Sequence, residues 1–452
     1  MTAPEGVKLL GTLTEWENKV YHNVTLTPED WAVVEKLPAL ADNRLQIEEL
    51  RRGLRVRTRS WVGVVRLPTV EIRVVPKVTG DQLGLVRLLQ YASGLDALTR
   101  LRDGATLDAS SDSLLELFVL LFVEASERVL RRGLLSGYIE REDDLPMVRG
   151  RILGDRQVLE RFGQLDRIVC RFDELEHDVV ENQLLSAALR VASPRVTSVG
   201  LQRRISRLRG VLEPICDIDQ LDLAGARATL TYNRLNAHYE TAHRLGWLLF
   251  DALGIDDLFA PGETRSFSFL LDMNRLFERF VTRAIEQILP VVRYRVTSQV
   301  SFKSVVWNVS SQRPYTNIIP DVVVERRGES DCRVAIDAKY KLYDERGFDP
   351  GDIYQTFLYA FALGGTALDA VPTSLLLYPA TAEEPKNTRL RIRRLSGGAG
   401  AEIVGIGLQV ASLLKELTVG TGETPLCDGL ATIIDKSFGN NAHHYHQASA
   451  QL

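Results

Sequence analysis

Two aspartates and a lysine pose the chemical question. They lie in Ile319-Pro-Asp321-Val-Val-Val-Glu-Arg-Arg-Gly-Glu-Ser-Asp-Cys-Arg-Val-Ala-Ile-Asp337-Ala-Lys339, a stretch that reads as strand, polar turn near Gly328, and strand. Side chains on a strand alternate with period two. Asp337 and Lys339 therefore share one face, and Val334, Ile336 and Ala338 share the other. Asp321 opens the neighbouring antiparallel strand, and a turn near Gly328 brings its carboxylate towards that of Asp337. Two converging carboxylates beside an ammonium are what metal-assisted phosphodiester hydrolysis requires. Mg²⁺ takes oxygen ligands and keeps several waters, so two acids plus substrate oxygens suffice to hold it. The ion lowers the pKa of a bound water, and Lys339 orients the nucleophile or offsets developing charge. Taken alone, this spacing is loose and suits a solvated surface hairpin equally well.

The flanking elements narrow the choice. Asp272-Met-Asn-Arg-Leu-Phe-Glu-Arg-Phe-Val-Thr-Arg-Ala-Ile has the spacing of an amphipathic helix, and Glu278 sits among its apolar positions Leu276, Phe277, Phe280 and Val281. From there it can project towards the sheet as a third acid. A later helix, predicted over about 352–363, places Gln355 and Tyr359 on one face at i, i+4. With strand-like runs at 294–302, 321–325, 333–338 and 374–379, the C-terminal order is α, β, β, β, α, β. Ala260-Pro-Gly-Glu reads as the connection before it.

Upstream, residues 1–80 alternate as strands do, with Leu54, Val56 and Thr58 opposed to Arg55, Arg57 and Arg59, followed by short runs at 61–68 and 71–77. Residues 81–260 shift to helical spacing with some mixed character. The expectation is an α+β multidomain protein: a β-rich domain at 1–80, a mixed, mainly helical middle region at 81–260, and an α/β domain at 261–452.

Composition sets the class. The 452 residues are 45% hydrophobic and 25% charged with a net charge of −4, an ordinary folded chain without a global basic field. Cys170, Cys216, Cys332 and Cys427 are scattered, which predicts neither a disulfide framework nor a zinc site. No apolar run approaches a membrane span and the N-terminus has no secretory pattern, so a cytoplasmic location is expected. No G-x-x-x-x-G-K-[S/T] loop occurs, so any nucleotide-driven step belongs to a partner.

Glu278, Pro320-Asp321, Asp337-Ala-Lys339 and Gln355-x-x-x-Tyr359 in that element order resemble the PD-(D/E)xK nucleases, in the branch whose late helix bears Gln and Tyr. Trp61-Val-Gly63, Pro76-Lys77, Val148-Arg-Gly150-Arg-Ile152, Val180-Glu-Asn-Gln-Leu-Leu185, Leu270 to Val281 and Asp337-Ala-Lys-Tyr-Lys341 look like the McrC family, covering most of the chain in order. The resemblance implies the nuclease subunit of the McrBC modification-dependent restriction system, a phage-defence endonuclease. Asp321, Asp337 and Glu278 would be its metal ligands, for Mg²⁺ or Mn²⁺, with Lys339 and Gln355 completing the catalytic set. It also implies a hexameric AAA+ GTPase partner of the McrB type, which binds the GTP and is stimulated by this subunit, and double-stranded DNA with modified cytosine as substrate.

Two other readings stand beside it: a non-catalytic activator of the GTPase, and a stand-alone nuclease of the same fold. Arginine stripes at 55/57/59, 203/204/207/209 and 389/391/393 are potential phosphate contacts, the last preferred for its place in the α/β domain. His443, His444 and His446 fall in a polar tail that reads as a frayed end. His177, His238 and His243 lack diagnostic neighbours.

Overall fold

A computed structural model describes residues 8–35, 44–79, 82–94, 114–163, 166–219, 221–253, 266–328, 333–345, 347–364, 371–382, 385, 387–393, 399–419 and 424–438. The connection at 260, the turn at 397, the histidine tail and Cys332 lie outside them. Cys170, Cys216 and Cys427 are free and buried.

The N-terminal part contains β1 (Lys8–Thr14), β2 (Asn18–His22), α1 (Pro28–Val34), β3 (Leu45–Leu50), β4 (Gly53–Thr58), β5 (Trp61–Arg66) and β6 (Val70–Val75). The middle contains α2 (Gln82–Ala92), α3 (Leu114–Arg132), β7 (Gly137–Leu145), β8 (Arg151–Ile152), α4 (Gly154–Arg161), β9 (Ile168–Glu176), α5 (Val180–Ala192), α6 (Val199–Leu212), α7 (Leu223–Thr229) and α8 (Glu240–Leu253). The C-terminal part begins with β10 (Phe267–Asp272), α9 (Met273–Ile288), β11 (Tyr294–Ser298), β12 (Phe302–Asn308), β13 (Arg313–Ile318), β14 (Val322–Arg326) and β15 (Arg333–Ala338). It ends with α10 (Pro350–Leu363), β16 (Thr373–Pro379), β17 (Thr388–Arg393), β18 (Ala399–Leu408), α11 (Val410–Val419) and α12 (Pro425–Lys436). Among the described residues no helix is long and apolar enough to cross a membrane.

The strand that follows the proposed border at 261 does not stay with the C-terminal sheet. β10 pairs antiparallel with β5 and completes a four-stranded sheet in the order β1-β6-β5-β10. Gly63 of the Trp-Val-Gly element makes this pairing possible. Its φ is +144°, and a Cβ there would stand 1.9 Å from the Phe269 carbonyl oxygen, so only a residue without one fits. Gly150 of the Val-Arg-Gly element has the same role where β8 pairs with β9, since a Cβ there would meet the Arg171 carbonyl oxygen at 2.3 Å.

Asp272 ends β10 and caps α9 by accepting a hydrogen bond from the Asn274 amide, at 3.0 Å. Asn274 in turn donates to Ser60 Oγ at 2.6 Å. The apolar stripe Met273, Leu276, Phe277, Phe280, Val281, Ala284 and Ile285 is buried in a core that runs from Val62 through α3, α5 and α8 to Phe438. Burying Phe277 and Phe280 alone contributes roughly 2–3 kcal/mol each. α9 is thereby fixed between the two halves of the molecule.

The C-terminal sheet has six strands in the order β11-β14-β15-β16-β18-β17. The β14–β15 hairpin is antiparallel, with Val322 opposite Ile336, while β15–β16 and β16–β18 are parallel. Val334 and Ile336 face α9 and the main core, whereas Ala335 packs with Tyr359 and Leu363 of α10 on the opposite face. β12 and β13 form a separate two-stranded ribbon that the strand-like run over 294–302 did not anticipate.

Candidate active site

Period-two alternation places Asp337 on the α10 face of β15, and the structure buries it to 2% exposure. The solvated-hairpin reading fails on that number. The register carries Asp321, one residue ahead of β14, across to the end of β15. There its Oδ2 accepts from the Ala338 amide at 2.8 Å. The two carboxyls are near enough to share a proton. Burial above all holds both above the usual carboxylate range; Glu278 adds to the rise of Asp321 and the neighbouring Asp321 adds to that of Asp337, while Lys339 works against both.

Lys339 Nζ lies 3.0 Å from Asp337 Oδ2. Burial pulls the Lys339 ammonium down, but Asp337 more than reverses this and its pKa ends above the ordinary value. No donor is aligned on Asp337 Oδ2, which is buried without a hydrogen bond. Two neighbouring carboxyls share the one ammonium of Lys339, and a hard divalent cation, which would supply the remaining positive charge, fits beside them.

Glu278 is held more loosely. It is raised by burial and feels the charges of Lys339 and Asp337, but α9 packs on the other face of the sheet. Among the described residues no three His, Cys, Asp or Glu side chains converge into a metal-ligand set. Glu278 therefore stands beside the pair and does not complete a triad with it.

Gln355 donates from Nε2 to the Tyr359 hydroxyl at 2.8 Å, and that hydroxyl donates to the Ile319 carbonyl at 3.2 Å. Burial, followed by Asp337, pushes the Tyr359 hydroxyl up to about 12. The Gln-Tyr pair thus fastens the residue two before Asp321 and reaches the acids through Tyr359. The helix carrying it is itself anchored, since Lys341 Nζ pairs with Asp349 and Asp352 at 2.7 Å each and Tyr343 donates to Asp352.

One site residue escaped the sequence reading altogether. Gln299 adopts a left-handed backbone, φ +52°, donates its amide to the Asp321 carbonyl at 3.1 Å, and donates Nε2 to Asp321 Oδ1 at 3.2 Å. A non-glycine residue in that region is strained, so the surrounding contacts must hold it there.

The arginine stripes are mostly occupied. Arg389 and Arg391, the preferred phosphate contacts, both pair with the buried Glu402 at 3.0 and 3.1 Å. Arg204 pairs with Glu127, Arg209 with Glu213, and Arg55 with Glu48. His243 is buried and depressed to about 4 by burial, with Nε2 2.8 Å from the Glu181 carbonyl oxygen, so it is a core residue.

The family model described as McrBC 5-methylcytosine restriction system component matches residues 56–379. Among solved structures the chain is similar to one in the refined half-complex from a tetradecameric assembly of Thermococcus gammatolerans McrB AAA+ hexamers with bound McrC. The identity there is 19% and the TM-score 0.62, over 94% of this chain and 100% of that one. The cryo-EM structure of the Thermococcus gammatolerans McrBC complex aligns at 21% identity and TM-score 0.45, over 63% of this chain and 88% of that one. No curated protein matches.

Proposed function

Because the chain belongs to the McrBC 5-methylcytosine restriction system component family, we propose that it is the Mg²⁺-dependent DNA endonuclease subunit of such a system. The C-terminal sheet is then a PD-(D/E)xK nuclease core. A hexameric AAA+ GTPase binds the GTP and is stimulated by this subunit, double-stranded DNA with modified cytosine is the substrate, and the assembly works in the cytoplasm. The observation that carries the reading is the Asp321–Asp337 pair, buried at Asp337, with Lys339 3.0 Å from Asp337.

Asp321 and Asp337 would hold the metal. When bound, Mg²⁺ polarises the phosphodiester and acidifies a water. The chain's own residues do the rest. The Ala338 amide and Gln299 fix the Asp321 carboxylate, and burial keeps competing water from Asp337. Lys339 places a positive charge where the phosphate gains negative charge and offers protons with which to orient the attacking water. Gln355 and Tyr359 hold the Ile319 carbonyl and with it the approach to Asp321, and Glu278 steadies Lys339 from α9.

The test is cleavage of methylated and unmethylated plasmid with Mg²⁺, with and without the GTPase and GTP, for wild type and Asp337→Ala. Cutting should require methylation, the GTPase, GTP and Asp337, and the variant should lose at least ~10³-fold in rate. Retained cleavage by a folded Asp337→Ala protein would overturn the assignment. Faster GTP hydrolysis without any cutting by wild type would make the chain an activator.

A further inference from the structure

A cleft of about 670 Å³ is lined by α9, the end of α2, Arg244 of α8 and the turn after β11. Arg275, Arg279 and Arg283 lie at i, i+4 and i+8 of α9 and all line it, because residues four apart share a helix face. Arg244 is a fourth guanidinium in the same wall, against the carboxylates of Glu278 and Glu286.

These arginines divide into two kinds. Arg244 donates to the Ser93 carbonyl and pairs with Glu240, and Arg283 lies over the Tyr91 ring at 5.2 Å. They form the fixed far end. Arg275 and Arg279 are exposed, and neither has an ion-pair or hydrogen-bond partner among the described residues. That sets them apart from Arg389 and Arg391, both closed onto Glu402.

Two residues of the cleft touch the acid site. The lining includes Gln299, which holds Asp321, and Glu278, which feels Lys339 and Asp337. Four residues of helix separate Arg275 from Arg279 by ~6 Å along the axis, comparable to the step between successive phosphates on one strand. Guanidiniums at that pitch suit a phosphodiester backbone, and their fork geometry binds phosphate oxygens in pairs.

We infer that the exposed face of α9 carrying Arg275 and Arg279 is a phosphate track that seats one strand of the DNA backbone and feeds it to Asp321 and Asp337. The inference rests on the nuclease reading for the direction of feed, whereas binding of the backbone stands on the cleft itself.

The experiment measures binding without cutting. Fluorescein-labelled 30-mers, duplex and single-stranded, are titrated with the full-length Asp337→Ala protein and with the same protein carrying Arg275→Gln and Arg279→Gln, over a range of NaCl. The arginine variants should raise Kd roughly tenfold at moderate salt. They should also flatten the slope of log K against log [salt] by about 1.8 if the seated backbone belongs to duplex, or about 1.4 if to a single strand. Arg389→Gln with Arg391→Gln is the control and should leave the slope unchanged.

An unchanged slope in a variant with an unaltered melting temperature overturns the track, and so does a parent that binds neither DNA. Unchanged DNA affinity with weakened association to the GTPase would assign the face to a protein partner and also overturn it. Loss of DNA affinity by the arginine variant, even if wild type proves unable to cut, supports the track while the nuclease reading fails.

Discussion

Asp321 and Asp337 are brought together by the β14–β15 register, and burial holds both carboxyls up even though Lys339 opposes the rise. Both carboxyls are raised, so the folded protein binds protons there more tightly than the unfolded chain. Their contribution to stability is full below the ordinary carboxylate range and is lost as pH rises through the raised folded values. A divalent cation reverses the sense by filling the pair once it is ionised. Metal-free protein should lose melting temperature as pH rises from about 4 through about 6, and Mg²⁺ above that range should restore several degrees. Asp337→Asn should show a smaller pH effect and no Mg²⁺ response. Equal Mg²⁺ stabilisation of both proteins would show that the ion binds elsewhere. At this scale the sequence disclosed the shared face of Asp337 and Lys339 through side-chain alternation, because that follows from backbone geometry alone. It did not disclose Gln299, whose hydrogen bond to Asp321 spans 22 residues and depends on a left-handed turn.

Among the elements, the β5–β10 pairing depends most on one residue. Gly63→Ala puts a methyl group into the Phe269 carbonyl and should cost about 3 kcal/mol in urea unfolding. An unchanged midpoint would mean that β10 can shift along β5 without loss. Most helices and strands of the C-terminal part could be read from the chain. α9 and α10 each bury one stripe, and β14 and β15 are short apolar runs buried on both faces, because a core imposes these patterns. The β12–β13 ribbon was missed for the converse reason. β13 is exposed at five of its six residues, so no core imprinted an alternation on it. The arginines of β17 alternate as expected of an edge strand, but Glu402, the neighbour that occupies them, comes from β18 and is not visible from β17 itself.

Across the whole molecule, the N-terminal and C-terminal parts meet at Glu15. Its Oε2 accepts from the Lys77 amide and from the Tyr340 hydroxyl, each at 2.9 Å, and Lys77 Nζ pairs with Glu345 at 3.0 Å. Two of the motifs that mark the family, Pro76-Lys77 and Asp337-Ala-Lys-Tyr-Lys341, are thus tied by one carboxyl beside the acid pair. Burial pushes Glu15 up to about 7, and Oε1 has no partner. The sign is that of a raised acid: its contribution is complete below about 4.5 and is lost as pH rises through about 7. Glu15→Gln keeps the acceptor for both donors and removes the titration. It should therefore be more stable than wild type at about pH 8 by on the order of 3 kcal/mol, with a flatter profile between about pH 5 and about pH 8. Superimposable profiles would place Glu15 outside this linkage. Tyr340 and Glu15 are 325 residues apart, and no local pattern records such a meeting. The same limit explains why composition suggested a border near residue 261 while β10 crosses it.

That crossing bears on how the chain is made. β5 and β10 are separated by roughly 200 residues, and synthesis at ~5–20 residues per second leaves about 10–40 s between them. During that interval the Trp61–Arg66 edge, with its unsatisfied amides and carbonyls, waits on the ribosome for a strand not yet translated. The nascent protein is most exposed to misassembly there, before the strands that carry Asp321 and Asp337 exist.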